Sequence, residues 1–321
     1  MLRTTTIPEP LALWSRRLGL FALALMGVGL VLHRFGQLTT HVFLMLGNAV
    51  FGLAAVAILC GLLAGVSIWL RGRSGAGRMA VGVIAGGLLW LLPLAYLPTY
   101  LALPTINDIS TDTANPPRFA MLGQVRGPGA NAAAYPGERF ARQQANAYPD
   151  LRTLVVDRSA DEVFDLAVLV VRGRKGMGWK VLAEEQPSTR PPKPGVIEAT
   201  ERTMIVGFID DISIRVTGSE GEARVDVRSA SRFGRHDLGT NASRIRRFLR
   251  ELQSRLEATQ PGMAAARATR AARAQLGPPG SKPGLKQPLS RLPGSKAGKA
   301  GQDPARSDAR RGPVPKAPPR G

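Results

Sequence analysis

The chain has 321 residues, 44% of them hydrophobic, and a formal net charge of +20. Its single cysteine, Cys60, and three scattered histidines, His33, His41 and His236, exclude an intrachain disulfide framework and a Cys/His zinc cluster, so neither metal nor cofactor is indicated. Residues 1–103 carry seven Arg and Glu9, net +6, residues 104–257 carry 23 basic and 20 acidic side chains, net +3, and residues 258–321 carry 13 basic residues and two Asp, net +11. The alkaline balance therefore belongs mostly to the C-terminal stretch and says little about a folded domain.

Residues 1–103 read as a membrane anchor. Leu18–Leu32 is an uncharged apolar run behind Arg16 and Arg17, ended by His33 and Arg34. It is short against the roughly 20 residues that a span needs. A signal peptide and an interfacial helix share this pattern, but no small-x-small cleavage site follows and a second apolar run begins at once. Val42–Leu70 is broken only by Asn48 and Ser67, and Met79–Leu103 carries Trp90, Tyr96, Tyr100, Pro93 and Pro98 toward an interface. The expected spans are 18–34, 42–68 and 79–100. With three spans, Arg3, Arg16, Arg17, Arg71, Arg73 and Arg78 share one side and Arg34 stands on the other. The positive-inside rule then leaves the N-terminus in the cytoplasm and everything after residue 103 outside it. Cys60 and Asn48 read as packing residues between helices.

Residues 104–150 read as an irregular linker and the start of a soluble domain, in which Asp108 and Asp112 act as turn formers. An α+β domain follows over 151–257. Leu151–Val156 is a candidate strand. Ser159 with Glu162 has the spacing of a capping box before the stripe Val163, Leu166, Ala167, Val170, which predicts a helix from about Ala160 to Val171. Alternation in Gly178–Ala183 makes Trp179 a core residue. Residues 187–195 are a loop, and Val196–Arg202 and Thr203–Ile209 are further extended segments.

A hairpin follows, with the clearest alternation in the chain. Ile212, Ile214, Val216, Val225 and Val227 face inward, and Asp211, Ser213, Arg215, Arg224, Asp226 and Arg228 face outward. Matched faces leave two registers, one opposing Asp211 to Arg228 and the other Arg215 to Asp226. Asp210 and Asp211, adjacent on a strand, project to opposite faces, which is the wrong spacing for an acid/base pair. Thr240 or Asn241 caps a closing helix with the stripe Ile245, Phe248, Leu249, Leu252, Leu256. From about Ala258 the chain loses apolar periodicity and is expected to be a disordered basic tail.

The residues Gly207-Phe208-Ile209-Asp210-Asp211, Ile214-Arg215, Val227-Arg228-Ser229-Ala230-Ser231-Arg232, Gly234, Asp237-Leu238-Gly239, Asn241 and Arg244-Ile245 resemble the bacterial domain-of-unknown-function 1499 family. The likeness reaches more loosely to Ile197-Glu198-Ala199, Trp179 and residues 107–112, about half of the chain. Many members begin the domain with an Asn-Cys segment. Residues 106–112 hold no cysteine here, so no thiol role carries over. The family has no established activity, and the resemblance implies a multi-pass, membrane-anchored form from Gram-negative bacteria.

Two functional classes follow. The first is a non-enzymatic envelope protein, anchored in the inner membrane with its domain in the periplasm, where Asp210, Asp211, Arg228, Ser229, Ser231, Arg232, His236, Asp237, Asn241 and Arg244 form a cluster. That cluster either grips a carboxylate or phosphate of an envelope ligand or pins the hairpin to the helix. The second is a hydrolase-like enzyme using Asp210 or Asp211, Ser229 and His236-Asp237. The basic tail suits anionic lipid, an envelope polymer or nucleic acid, although without aromatics it gives no support to base stacking on nucleic acid.

Overall fold

The computed structural model describes residues 7–173, 177–189 and 191–275. The chain separates into two units, 1–267 and 268–321, and the features below lie in the first, apart from the end of the last helix. The expected tail lies outside the described residues from 276 onward.

Three helices long and apolar enough to cross a membrane open the chain: α1 (Pro10–Arg34), α2 (Thr40–Arg71) and α3 (Ala76–Ala102). The shortness of the first apolar run is made good by starting the helix early. Pro10 supplies the first helical residue, Glu9 accepts a hydrogen bond from the Leu11 N–H, and 25 residues span about 38 Å. Arg16 and Arg17 are thereby carried on the helix near its start, where long side chains reach the interface.

Small residues let the helices meet. A Cβ on Gly82 would lie 2.2–2.5 Å from atoms of Ser15, and one on Gly19 would lie 2.7 Å from the Gly82 carbonyl oxygen, so α1 and α3 touch backbone to backbone. Gly86 meets the Ala54 carbonyl in the same way on α2. Leu62, Val66, Ile84 and Leu91 point outward and are exposed, an apolar outer surface that suits lipid.

The bundle has two distinct ends. At one, Pro8 bridges Ser74, and Glu9 accepts from Ser67 Oγ (2.5 Å) and from Arg73 (2.9 Å). At the other, the domain that follows α3 sits on the ends of α1 and α3. His33 of α1 hydrogen-bonds the Val206 carbonyl (2.8 Å) and stacks on Phe43 of α2, with Phe208 edge-on. His236 hydrogen-bonds the Leu103 carbonyl (3.2 Å) and stacks on Tyr100.

The domain is an antiparallel sheet of β1 (Asp108–Ser110), β2 (Leu154–Val156), β3 (Lys180–Glu185), β6 (Gly195–Arg202), β7 (Ile209–Gly218) and β8 (Ala223–Ser231), in the order β1-β8-β7-β6-β3 with β2 also on β8. A small hairpin, β4 (Ser188–Thr189) with β5 (Pro192–Lys193), stands apart. Of the two registers open to β7 and β8, the chain takes the one that opposes Arg215 to Asp226; Asp211 opposes Ala230. One face carries Ile197, Ile212, Ile214, Val216, Val225 and Val227 against α6 (Ala160–Arg172) and α7 (Thr240–Gln275). Ser159 caps α6 through the Glu162 N–H, and Trp179 stacks on Phe248 in the core.

Several local expectations are corrected. Residues 104–150 are not irregular throughout: they hold β1, α4 (Met121–Gln124) and α5 (Glu138–Ala147). Residues 203–208 turn back instead of extending, because the Thr203 hydroxyl and backbone collect the Gly207 and Phe208 N–H groups. Helix α7 runs to Gln275, past the boundary expected at residue 257.

The largest correction concerns the outward-facing side chains of the hairpin. Asp211, Ser213, Asp226 and Arg228 are buried, because residues 111–135 lie across that face and bring Phe119 and Leu122 onto it. The strand pattern shows which residues share a face, and a second covering layer leaves no mark in it. Gln144 of α5 closes the free edge of β1 by accepting from the Ser110 N–H (3.0 Å) and donating to its carbonyl (2.6 Å), as a neighbouring strand would.

The bundle contact gives a test. Gly82→Leu forces a side chain into the Ser15 backbone and should lower the thermal midpoint of the detergent-solubilised chain, at a cost of at least about 1–3 kcal/mol. Gly87→Leu, where a Cβ meets nothing within 4 Å, should leave the midpoint unchanged. Equal midpoints for the two variants would contradict the α1–α3 packing.

Candidate functional site

The ten residues of the expected cluster fall on both faces of the sheet, because Asp210 and Asp211 are neighbours on β7 and strand side chains alternate. On the helix side, Asp210 accepts from Arg244 (2.5 Å), which also pairs with Glu201 and donates to Ser229 Oγ (2.9 Å) and Asn241 Oδ1 (2.6 Å). Ser229 donates to Asn241 Oδ1 (2.8 Å), and the Asn241 amide donates to Ser231 Oγ and to the Asn107 carbonyl. This knot ties β8, β7 and the segment before β1 to the first turn of α7. Burial pushes the Asp210 carboxyl up, against the pull of Arg244. Partial burial also works against the charge of Glu201, yet Arg244 and Arg247 hold it below the usual carboxylate range.

On the opposite face, Arg228 donates to both oxygens of Asp108, through Nε (2.9 Å) and Nη2 (2.6 Å), and to the carbonyls of Pro117 and Ala133. Its guanidinium lies 4.3 Å from the Phe119 ring centroid. Asp108 is therefore a buried ion-pair partner and not a turn former, and desolvation raises its pKa against that pairing. Asp112 does form the expected turn, accepting from Ala114 and Asn115, and also meets Arg215, which pairs with Asp226 at 2.8 Å. Asp211 is gripped by Arg232 (2.7 Å) and by Arg126 (2.8 Å). Glu198 receives the N–H groups of Ala120, Met121 and Leu122, a carboxylate at the start of α4.

His236 and Asp237 do separate work. The Leu238 N–H donates to His236 Nδ1 (2.9 Å), so the ring proton sits on Nε2 and points at the Leu103 carbonyl. Asp237 accepts from the Gly239 and Asn241 N–H groups and so caps α7, the role expected of Thr240 or Asn241. Leu238, with φ 53°, is held in the left-handed region between these two anchors. Ser229, His236 and the paired aspartates thus share no nucleophile–base contact.

Two hollows adjoin the network. One, of about 270 Å³, lies between Leu44 of α2 and the domain, with Phe208, Phe233 and Leu238 as apolar walls and Asp210, Ser231 and Asp237 as polar ones. The other, of about 440 Å³, is lined by Asp108, Arg126, Tyr135, Arg139 and Arg235 among others. Asp108, Arg126, Tyr135 and Glu201 are absent from the sequence-derived cluster. A lone Arg in a Gly/Pro-rich stretch carries no signal of burial. Among the described residues, no group of three His, Cys, Asp or Glu side chains is arranged to hold a metal ion.

The family model described as "Protein of unknown function (DUF1499)" matches residues 108–252, so this part of the chain is a DUF1499 domain. The match begins at β1, in agreement with the register of Asp108–Ser110 on β8. No curated protein and no solved structure matches the chain.

The buried pair makes a sharp energetic prediction. Arg228→Met or Asp108→Leu alone strands a charge in the interior and should cost about 3–5 kcal/mol of domain stability. The double substitution should recover a substantial part of that loss, read by thermal unfolding of the full chain in detergent. An additive double variant would show that the two side chains do not act as a pair.

Proposed function

We propose that the protein resides in the bacterial inner membrane with its DUF1499 domain on the periplasmic side, and that the domain works by binding an envelope ligand or protein without catalysing a reaction. The polarity of the bundle carries this reading. The end that joins Glu9 to Arg73 also bears Arg71 and Arg78, whereas the end under the domain bears Arg34. Basic residues favour the cytoplasmic side, so the domain end faces away from it.

The choice of binding over catalysis rests on the engagement of the polar residues. Asp210, Asp211 and Asp108 each face a guanidinium, Asp237 caps a helix, and both ring nitrogens of His236 are committed to backbone groups. An acid–base role needs a group free to exchange its proton with a substrate. The hollows beside the polar network are what that network offers an incoming molecule.

Sidedness is testable with single cysteines in a Cys60→Ala background. Glu220→Cys lies in the exposed β7–β8 turn, and Gly77→Cys lies at the exposed start of α3. A membrane-impermeant maleimide should label the first in intact spheroplasts of a Gram-negative host and the second only after lysis. The reverse pattern would refute the periplasmic assignment.

A further inference from the structure

The hollow beside Asp108 differs from the rest of the polar face in having donors left over. Its walls include Arg126, Arg139, Arg235 and Tyr135 with Asp108, Asn107 and Thr105. Arg126 spends Nε on Asp211 and Nη1 on the carbonyls of Asn131 and Ala132, and its Nη2 has no protein partner although the side chain is 5% exposed. The buried Tyr135 hydroxyl likewise has none. Burial and the nearby Asp108 push the Tyr135 phenol up to about 12, so it stays a neutral donor at physiological pH.

The charge of this region is lopsided. Asp108 is neutralised by Arg228, and Asp211 is shared between Arg126 and Arg232, leaving one guanidinium charge uncompensated. Among the described residues neither Arg139 nor Arg235, both exposed, has an ion-pair partner, and the adjacent Glu138 pairs with Arg142. Two exposed cations and, on two further lining residues, two donors without a protein partner make a receptor for an anion with several acceptor oxygens, since guanidinium groups match oxyanions two bonds at a time.

We propose that this hollow binds a phosphate group, with Arg126 Nη2 and the Tyr135 hydroxyl as built-in donors and Arg139 and Arg235 closing over the charge. Thr105 comes shortly after the end of α3 at Ala102, so the site lies near the membrane surface, within reach of a phospholipid headgroup as well as of a soluble phosphate ester. The proposal names the ligand chemistry for the binding role put forward above and rests on that role. A purified chain reports on the phosphate irrespective of sidedness, so either part can fail without the other.

The test uses the full chain in phosphatidylcholine nanodiscs, titrated calorimetrically with inorganic phosphate and with glycerol phosphate. Saturable binding is expected, weakened about tenfold or more in R139Q/R235Q, whose substitutions are at the exposed rim and spare the fold, and weakened to a smaller degree in Y135F. Repeating the titration in nanodiscs containing phosphatidic acid separates the sources. Heat that disappears there assigns the site to a lipid headgroup, and heat that persists assigns it to a soluble phosphate. No saturable binding of either soluble probe at about 10 mM overturns the proposal, as does unchanged affinity in R139Q/R235Q.

Discussion

Arg228 crosses the middle of β8 with Nε and Nη2 on the two oxygens of Asp108, and the architecture of the domain follows from that contact. A β-strand presents side chains to both faces, and a hairpin sequence that alternates apolar with charged residues is ordinarily solvated on one of them. Here residues 111–135 lie over the charged face and exclude water from it. Each charge so enclosed then needs a partner, because an unpaired buried ion costs several kcal/mol. Asp211 with Arg126 and Arg232, Arg215 with Asp226 and Asp112, and Glu198 with three backbone N–H groups answer the same demand. The apolar face needs no such matching and is filled by α6 and α7 in the usual way.

The same economy of polar groups fixes the domain to its anchor. His33 and His236 come from opposite parts of the chain, yet each spends one ring nitrogen on a carbonyl across the junction and stacks on an aromatic ring. Two separated contacts of this kind restrain rotation better than one. The anchor is therefore a mount with a defined orientation, and the solvent-facing Met204 and Ile205 of the β6–β7 turn project from the domain beside the end of α1, where Arg34 holds the Met204 carbonyl.

Much of this was legible in the residues. Three apolar runs predict three long helices; the Ser159–Glu162 spacing predicts the start of α6; the alternation of Ile212, Ile214 and Val216 predicts the buried face of β7. These are local signals, each carried by the period of one element. What escaped was non-local. The burial of Arg228 depends on a Gly/Pro-rich segment a hundred residues earlier, and Asp108 looks like any turn-forming aspartate until β1 is laid beside β8. Of the candidate cluster, the division of Asp210 from Asp211 follows from strand geometry alone, whereas Arg126, Glu201 and Tyr135 enter only through folding. His236 and Asp237, adjacent in sequence, face different partners for the same reason.

Residues 111–135 form a second layer over the sheet. Hydrogen–deuterium exchange of the full chain in detergent tests this most directly. The Thr111 amide, bonded to the Val227 carbonyl, and the Ala120 and Leu122 amides, bonded to Glu198, should exchange about as slowly as those of β7 and β8. Exchange of these amides as fast as that of the exposed turn at 219–222 would show the charged face open to water and contradict the account.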